Sequence, residues 1–85
     1  MINELDMVVL TKDVTQAGLR MGDIGTVVHC YENGVIFEVE FVTGQGDTIG
    51  VFTLEDSDIR PIGGHEVLHA RQLQYAAFGS ADYPR

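Results

Sequence analysis

Over the first 62 residues, apolar positions fall into short runs separated by glycine, asparagine and aspartate, the spacing of strands and turns rather than of helices. Ile36 to Val42 is the clearest run. Phe37, Val39 and Phe41 alternate with Glu38 and Glu40, so one face of the strand is set for a core and the other for water. The Gly-rich turn Thr43 to Asp47 leads from it into a further strand, Thr48 to Leu54. Met7 to Thr11 is short, apolar and β-branched and reads as the first strand. Gly25 to Tyr31 reads as the second; both its faces are apolar, which suits a strand bent across two sheets and leaves its inward side open. Glu32-Asn33-Gly34 then closes a hairpin, because Asn and Gly accept the positive φ of such turns. Asp13 to Asp23 lacks alternation and reads as a loop, with one helical turn at Thr15 to Leu19 and Leu19 anchored inward. Glu55 to Asp58 suits a single helical turn, since acids gather where N–H groups are unsatisfied. Ile59 to Ile62 reads as a last short strand, marked as an edge by Pro61.

Five short strands, with one long loop after the first and a tight turn before the fifth, predict a mainly β fold: a small five-stranded SH3-like barrel over residues 1–62. An OB-type barrel is the alternative, and it would call for longer strands and a helix between the middle ones. Residues 63–85 form a separate appendage. Glu66 to Phe78 lacks Pro and Gly and carries Leu68, Leu73, Tyr75 and Phe78, which predicts a helix of about three turns ended by Gly79-Ser80, with a frayed end at Tyr83 to Arg85. Arg71, Gln72 and Gln74 interrupt every apolar face of that helix. A helix this short is marginal alone in water, so it is expected to dock on its own barrel, on a partner, or on a second copy in a homo-oligomer.

The segments Asp6 to Asp13, Gly18-Leu19, Gly22 to Val28, Glu38 to Phe41 and Leu54 to Pro61 together resemble a bacterial family of short proteins classed as a domain of unknown function. The resemblance covers about residues 4–62. It implies an SH3-like barrel and assigns no catalytic residue. Gly22 to Val27 also looks like segments of the photosystem I accessory subunit and of KOW barrels in ribosomal proteins and transcription factors. The RNA-binding KOW modules are basic, and this chain departs from them in charge.

That charge narrows the partners. The 85 residues hold 13 acidic side chains against 5 Lys and Arg, a formal net charge of -8. Eleven of the acids precede Gly63 and face only Lys12, Arg20 and Arg60 there. Such a surface repels nucleic acid, whose binding rests on phosphate neutralisation by Lys and Arg. The excess acid either maintains solubility or steers a basic protein partner toward loop residues Asp13, Asp23, Asp47, Asp56 and Asp58. The chain is short enough for one module with a thin core. A single cysteine, Cys30, allows no intrachain disulfide and no Cys-based zinc cage, which fits a reducing cytoplasm. No apolar run is long enough to span a bilayer, so no membrane association is expected.

One motif carries potential chemistry. His65-Glu66-Val67-Leu68-His69 matches H-E-x-x-H, in which two imidazoles one helical turn apart grip zinc while the glutamate activates the metal-bound water. It supports an alternative reading as a small zinc-dependent hydrolase using His65, Glu66 and His69. Coincidence is the competing reading, since no third histidine follows and Asp82 is the only carboxylate downstream. Gly22 to Gly25 and Gly44 to Gly46 precede no helix and read as turns rather than phosphate loops. Cys30 lies mid-strand without a basic neighbour and reads as a small hydrophobe, and His29 has no triad partner placed by sequence. The reading that follows is a non-enzymatic acidic interaction module without cofactor, neutralising a basic toxin or serving as an accessory subunit.

Overall fold

The computed structural model describes residues 1–73. Its architecture is mainly β: five antiparallel strands in one sheet, β1 (Met7–Leu10), β2 (Ile24–Cys30), β3 (Ile36–Val42), β4 (Thr48–Glu55) and β5 (Ile59–Pro61). The order across the sheet is β4-β3-β2-β1-β5. Among the described residues β5 pairs with β1 alone, which places Pro61 on an edge where its missing N–H costs no ladder bond. No pairing joins β4 to β5 among the described residues, so the sheet is open.

Open does not mean flat. A flat sheet would hold β4 and β5 four strand spacings apart, about 19 Å. The two are joined by the single 3-10 turn Asp56–Asp58, and three such residues advance only about 6 Å. The sheet therefore curls, and residues from all five strands meet in one cluster: Val8 and Leu10, Val27, Phe37, Val39 and Phe41, Leu54, and Ile59. The turn itself is closed by a reciprocal capping box, with the Asp58 carboxylate accepting the Glu55 N–H at 3.0 Å.

β3 follows its alternation, with Phe37, Val39 and Phe41 buried and Glu38 and Glu40 half-buried on the opposite face. In β2 the register with β3 shifts between Val27 and His29. That bulge leaves Val28 and His29 both exposed and explains why periodicity alone could not orient the strand. β1 is buried along Val8 to Leu10, with Val8 and Leu10 in the core cluster. Gly25 marks a close approach: a Cβ there would stand 2.7 Å from Val39 Cγ1 and 2.8 Å from Phe41 Cε1.

The loop between β1 and β2 is drawn into the core by Val14, Ala17 and Leu19. It contains one 3-10 turn, Thr15–Ala17, and Gly18 leaves that turn with a φ of 74°, a conformation that L residues other than glycine enter only at a cost.

The helix expected over Glu66 to Phe78 is not formed in its described part. Residues 66–73 run without regular structure, and Val67 and Leu68 are exposed. The physical reason is tertiary: Glu66 and Arg71 are each committed to ionic partners on the sheet domain, geometry that overrides a modest helical propensity. The expectation for 74–78, and with it docking through a helix, lies outside the described residues.

Candidate functional site

The loop between β1 and β2 presents a polar rim above its buried anchors. Asp13 Oδ1 accepts the Met21 N–H at 2.8 Å, and Asp23 Oδ2 accepts the Arg20 N–H at 2.8 Å. The Leu10 N–H donates to the Asp23 carbonyl at 2.9 Å, which ties the loop's exit to β1. Both carboxylates are thus held by the domain's own backbone.

A second segment reaches this rim from the far side of β5. The Glu66 carboxylate takes both guanidinium arms of Arg60 at 2.8 and 2.6 Å and also accepts the Gly63 N–H. These bonds, the Arg60 pair foremost, pull the Glu66 carboxyl down to about 2. The chain then crosses to the loop, where Arg71 Nε donates to Asp23 Oδ1 at 2.8 Å and Nη2 donates to Asp23 Oδ2 at 2.5 Å. Nη2 also reaches the Gly18 carbonyl at 2.8 Å. The Arg71 and Asp23 side chains are only 22% and 18% exposed, so this is a partly desolvated, two-pronged pair rather than a surface ion pair. Asp23, and less strongly Asp13, raise the Arg71 guanidinium above its ordinary pKa.

Beside the pair lies a cavity of about 240 Å³ whose walls include Leu19, Ile24, Phe41, Val42 and Ile49, with Arg71 and Leu73 closing one side. The ionisable part of its lining is the Asp23–Arg71 pair with His69, and much of the rest is apolar. Such a cleft can hold a cationic head and the hydrocarbon next to it.

Of the five acids expected to meet a partner, Asp23 lines this cavity, and Asp13 lines an adjoining pocket with Gly18, Leu19, Arg20 and Arg71. Asp58 stands nearby in the chain's folding, because the Thr11 N–H donates to its carbonyl and Lys12 Nζ lies 3.1 Å from its Oδ1. Partial burial opposes the Asp58 charge, but the Glu55 N–H and Lys12 outweigh it and hold the carboxyl below its usual range. Asp56 is exposed in the same turn. Asp47 is exposed in the β3–β4 turn, whose Thr43 and Gly44 line the cavity while Asp47 does not. Arg71 and the apolar wall were missed by sequence reasoning; a lone arginine in a tail read as helix carries no signal of its own.

The H-E-x-x-H residues sit in non-helical chain, so His65 and His69 do not share a helical face. Glu66 is bound to Arg60, and His69 lines the cavity instead. Among the described residues no group of three or more His, Cys, Asp or Glu is arranged to hold a metal ion. Cys30 is half-buried with its Sγ 3.8 Å from the Ile2 carbonyl, and burial, then the charges of Glu4 and Asp6, push its thiol pKa up, away from nucleophilic use. On the outer sheet face Glu38 accepts the Tyr31 hydroxyl at 2.6 Å and the Thr53 hydroxyl at 2.9 Å, bonds that lower its pKa and raise that of Tyr31. His29 stacks edge-on to Tyr31 with ring centroids 4.7 Å apart and lies 3.5 Å from Glu4.

Fold and site together define a small all-β domain with a largely apolar cavity bordered by the Asp23–Arg71 pair. The chain belongs to the family described as Domain of unknown function (DUF4926), whose model matches residues 4–61. No curated protein and no solved structure matches it. No helix among the described residues is long and apolar enough to cross a membrane.

Proposed function

We propose that this domain is a non-enzymatic, SH3-like interaction module that docks a cationic protein through the cleft at Asp13 and Asp23, as a toxin-neutralising protein or an accessory subunit. The observation that carries the reading is the cleft itself, where a prearranged carboxylate already grips a guanidinium beside an apolar cavity. The curled sheet, the long loop after β1 and the single turn before β5 support the SH3-like barrel. The net charge of -8 supports electrostatic steering, which acts mainly on association rate. An unpaired Cys30 thiol supports a reducing, cytoplasmic setting.

The test begins with a protein that the immobilised chain retains, followed by its association rate at two salt concentrations. Across a change from about 0.02 to 0.2 M salt, which shortens the screening length severalfold, the rate should fall severalfold. It should also fall with Asp13→Asn combined with Asp23→Asn. Equal rates at both salt concentrations and in the double variant would overturn the reading.

A further inference from the structure

We infer that the mouth at Asp23 is an arginine-reading pocket, and that Arg71 fills it in cis as a stand-in for an arginine of the partner. The inference rests on the interaction-module reading above and gives it a ligand chemistry. Three features of the site carry it.

The first is stereochemical. Nε and Nη2 of Arg71 meet the two oxygens of one carboxylate while Nη2 also meets the Gly18 carbonyl. A planar fork of N–H groups satisfies these three acceptors together, and a lysine ammonium, a single point donor on a flexible stem, does not.

The second is where the parts lie in the chain. Gly18 and Asp23, which build the pocket, fall inside the span shared with the family, residues 4–61, while Arg71 falls outside it. Asp23 is held by the Arg20 N–H and Asp13 by the Met21 N–H, bonds that need nothing from the tail. The receptor is a property of the domain, and the occupant is an addition to it.

The third is how the occupant is held. Between Glu66 and Arg71 the tail has no regular structure, and Val67 is 91% exposed and Leu68 60% exposed. The segment is pinned by two ionic grips, Glu66 on Arg60 and Arg71 on Asp23, with Leu73 against the cavity. A filler on a short tether acts as a millimolar competitor. A partner segment with arginine followed two positions later by an apolar residue, the spacing of Arg71 and Leu73, displaces it when its concentration divided by its Kd exceeds the tether's effective concentration divided by the Kd of the cis arginine.

The probe is a capped five-residue peptide copying residues 69–73, with versions carrying lysine or alanine in place of the arginine, titrated into the full chain by calorimetry. Arg71→Ala should bind the arginine peptide about tenfold or more tighter than wild type does, because the cis competitor is gone. The lysine and alanine peptides should bind at least about tenfold more weakly than the arginine peptide, and adding Asp23→Asn should abolish binding. In the wild-type chain, excess arginine peptide should move the Arg71 Nε–H resonance to the position of a free arginine, a readout that does not depend on any variant folding. Equal affinity of wild type and Arg71→Ala, equal affinity for arginine and lysine peptides, or an Arg71 resonance unmoved by saturating peptide each overturns the inference. Should a cationic protein bind with the expected salt dependence yet ignore both Arg71→Ala and Asp23→Asn, the pocket fails while the module reading stands. Should Arg71→Ala take the peptide as expected while no cationic protein binds the chain, the pocket stands and the module reading fails.

Discussion

Gly25→Ala offers a sharp test of how closely β2 and β3 are packed. The added methyl would stand 2.7 Å from Val39 Cγ1, 2.8 Å from Phe41 Cε1 and 2.9 Å from Phe41 Cζ. Val39 is fully buried and Phe41 is 2% exposed, so neither can swing into solvent to make room. Forcing one carbon into such a site costs about 1–3 kcal/mol through backbone shifts and displaced rotamers. For a domain whose total stability is on the order of 5 kcal/mol, that is a large fraction. With a urea dependence of about 1 kcal/mol per molar, the unfolding midpoint should fall by about 1–3 M with an unchanged slope. Phe41→Leu removes Cε1 and Cζ, two of the three clashing atoms, at a cost of its own of about 1–2 kcal/mol, between the Ile→Val and Phe→Ala ranges. In that background Gly25→Ala should cost less than half of what it costs alone, a coupling well above the few tenths expected of independent sites. If Gly25→Ala melts within about 0.5 kcal/mol of wild type, or the two substitutions simply add, the close approach of Gly25 to Phe41 is wrong.

Three further outcomes are expected. Phe41→Ala should cost about 3–5 kcal/mol while Glu40→Ala, on the opposite face, stays within about 0.5 kcal/mol; equal urea midpoints would reject the β3 register. The Glu66 carboxyl, followed by NMR, should titrate at about 2, and Arg60→Gln should return it toward 4.5. The sign follows from the depressed value: the Arg60–Glu66 contact is fully made above the ordinary carboxyl range and is lost as pH falls through about 2, so a midpoint near 4.5 in the wild type would contradict the grip. Finally, trypsin cleavage after Arg71 should be several times faster in Asp23→Asn than in wild type, measured by mass spectrometry, because a guanidinium freed from the carboxylate can enter a protease; no change would show that the pair does not hold the tail.

Much of the sheet was legible because its strands obey simple rules. Phe37, Val39 and Phe41 alternate, the turn residues stand where the strands end, and Pro61 lies on an edge. β2 was harder, since one extra residue between Val27 and His29 breaks the period of two and no local sequence announces a bulge. The tail was misread over 66–73 because helical propensity is a local quantity, whereas Glu66 and Arg71 answer to Arg60 and Asp23, six and 48 positions away. The acids of the cleft were visible as acids but not as a group. Only folding of the loop brings Asp13 and Asp23 to one rim, and only the curl of the sheet adds Ile49 and Val42 to the apolar wall.

The pairing of β1 with β5 also dictates when the cleft comes into being. β2, β3 and β4 meet one another across short turns and can assemble locally, but Val9 and Arg60 are partners about fifty residues apart, a closure that costs about 3–4 kcal/mol of chain entropy before any contact repays it. Folding should therefore be slow for so small a chain, in the millisecond-to-second range of non-local β topologies. During synthesis β1 is made before β5 and waits, unpaired on that side, until β5 follows. The loop that carries Asp13 and Asp23 waits with it, because Thr11 at its entrance bonds to Ser57 and Asp58 just ahead of β5. Arg71 follows β5 by ten residues, which take about 0.5–2 s to synthesise, so the carboxylate is made well before the guanidinium that fills its cleft.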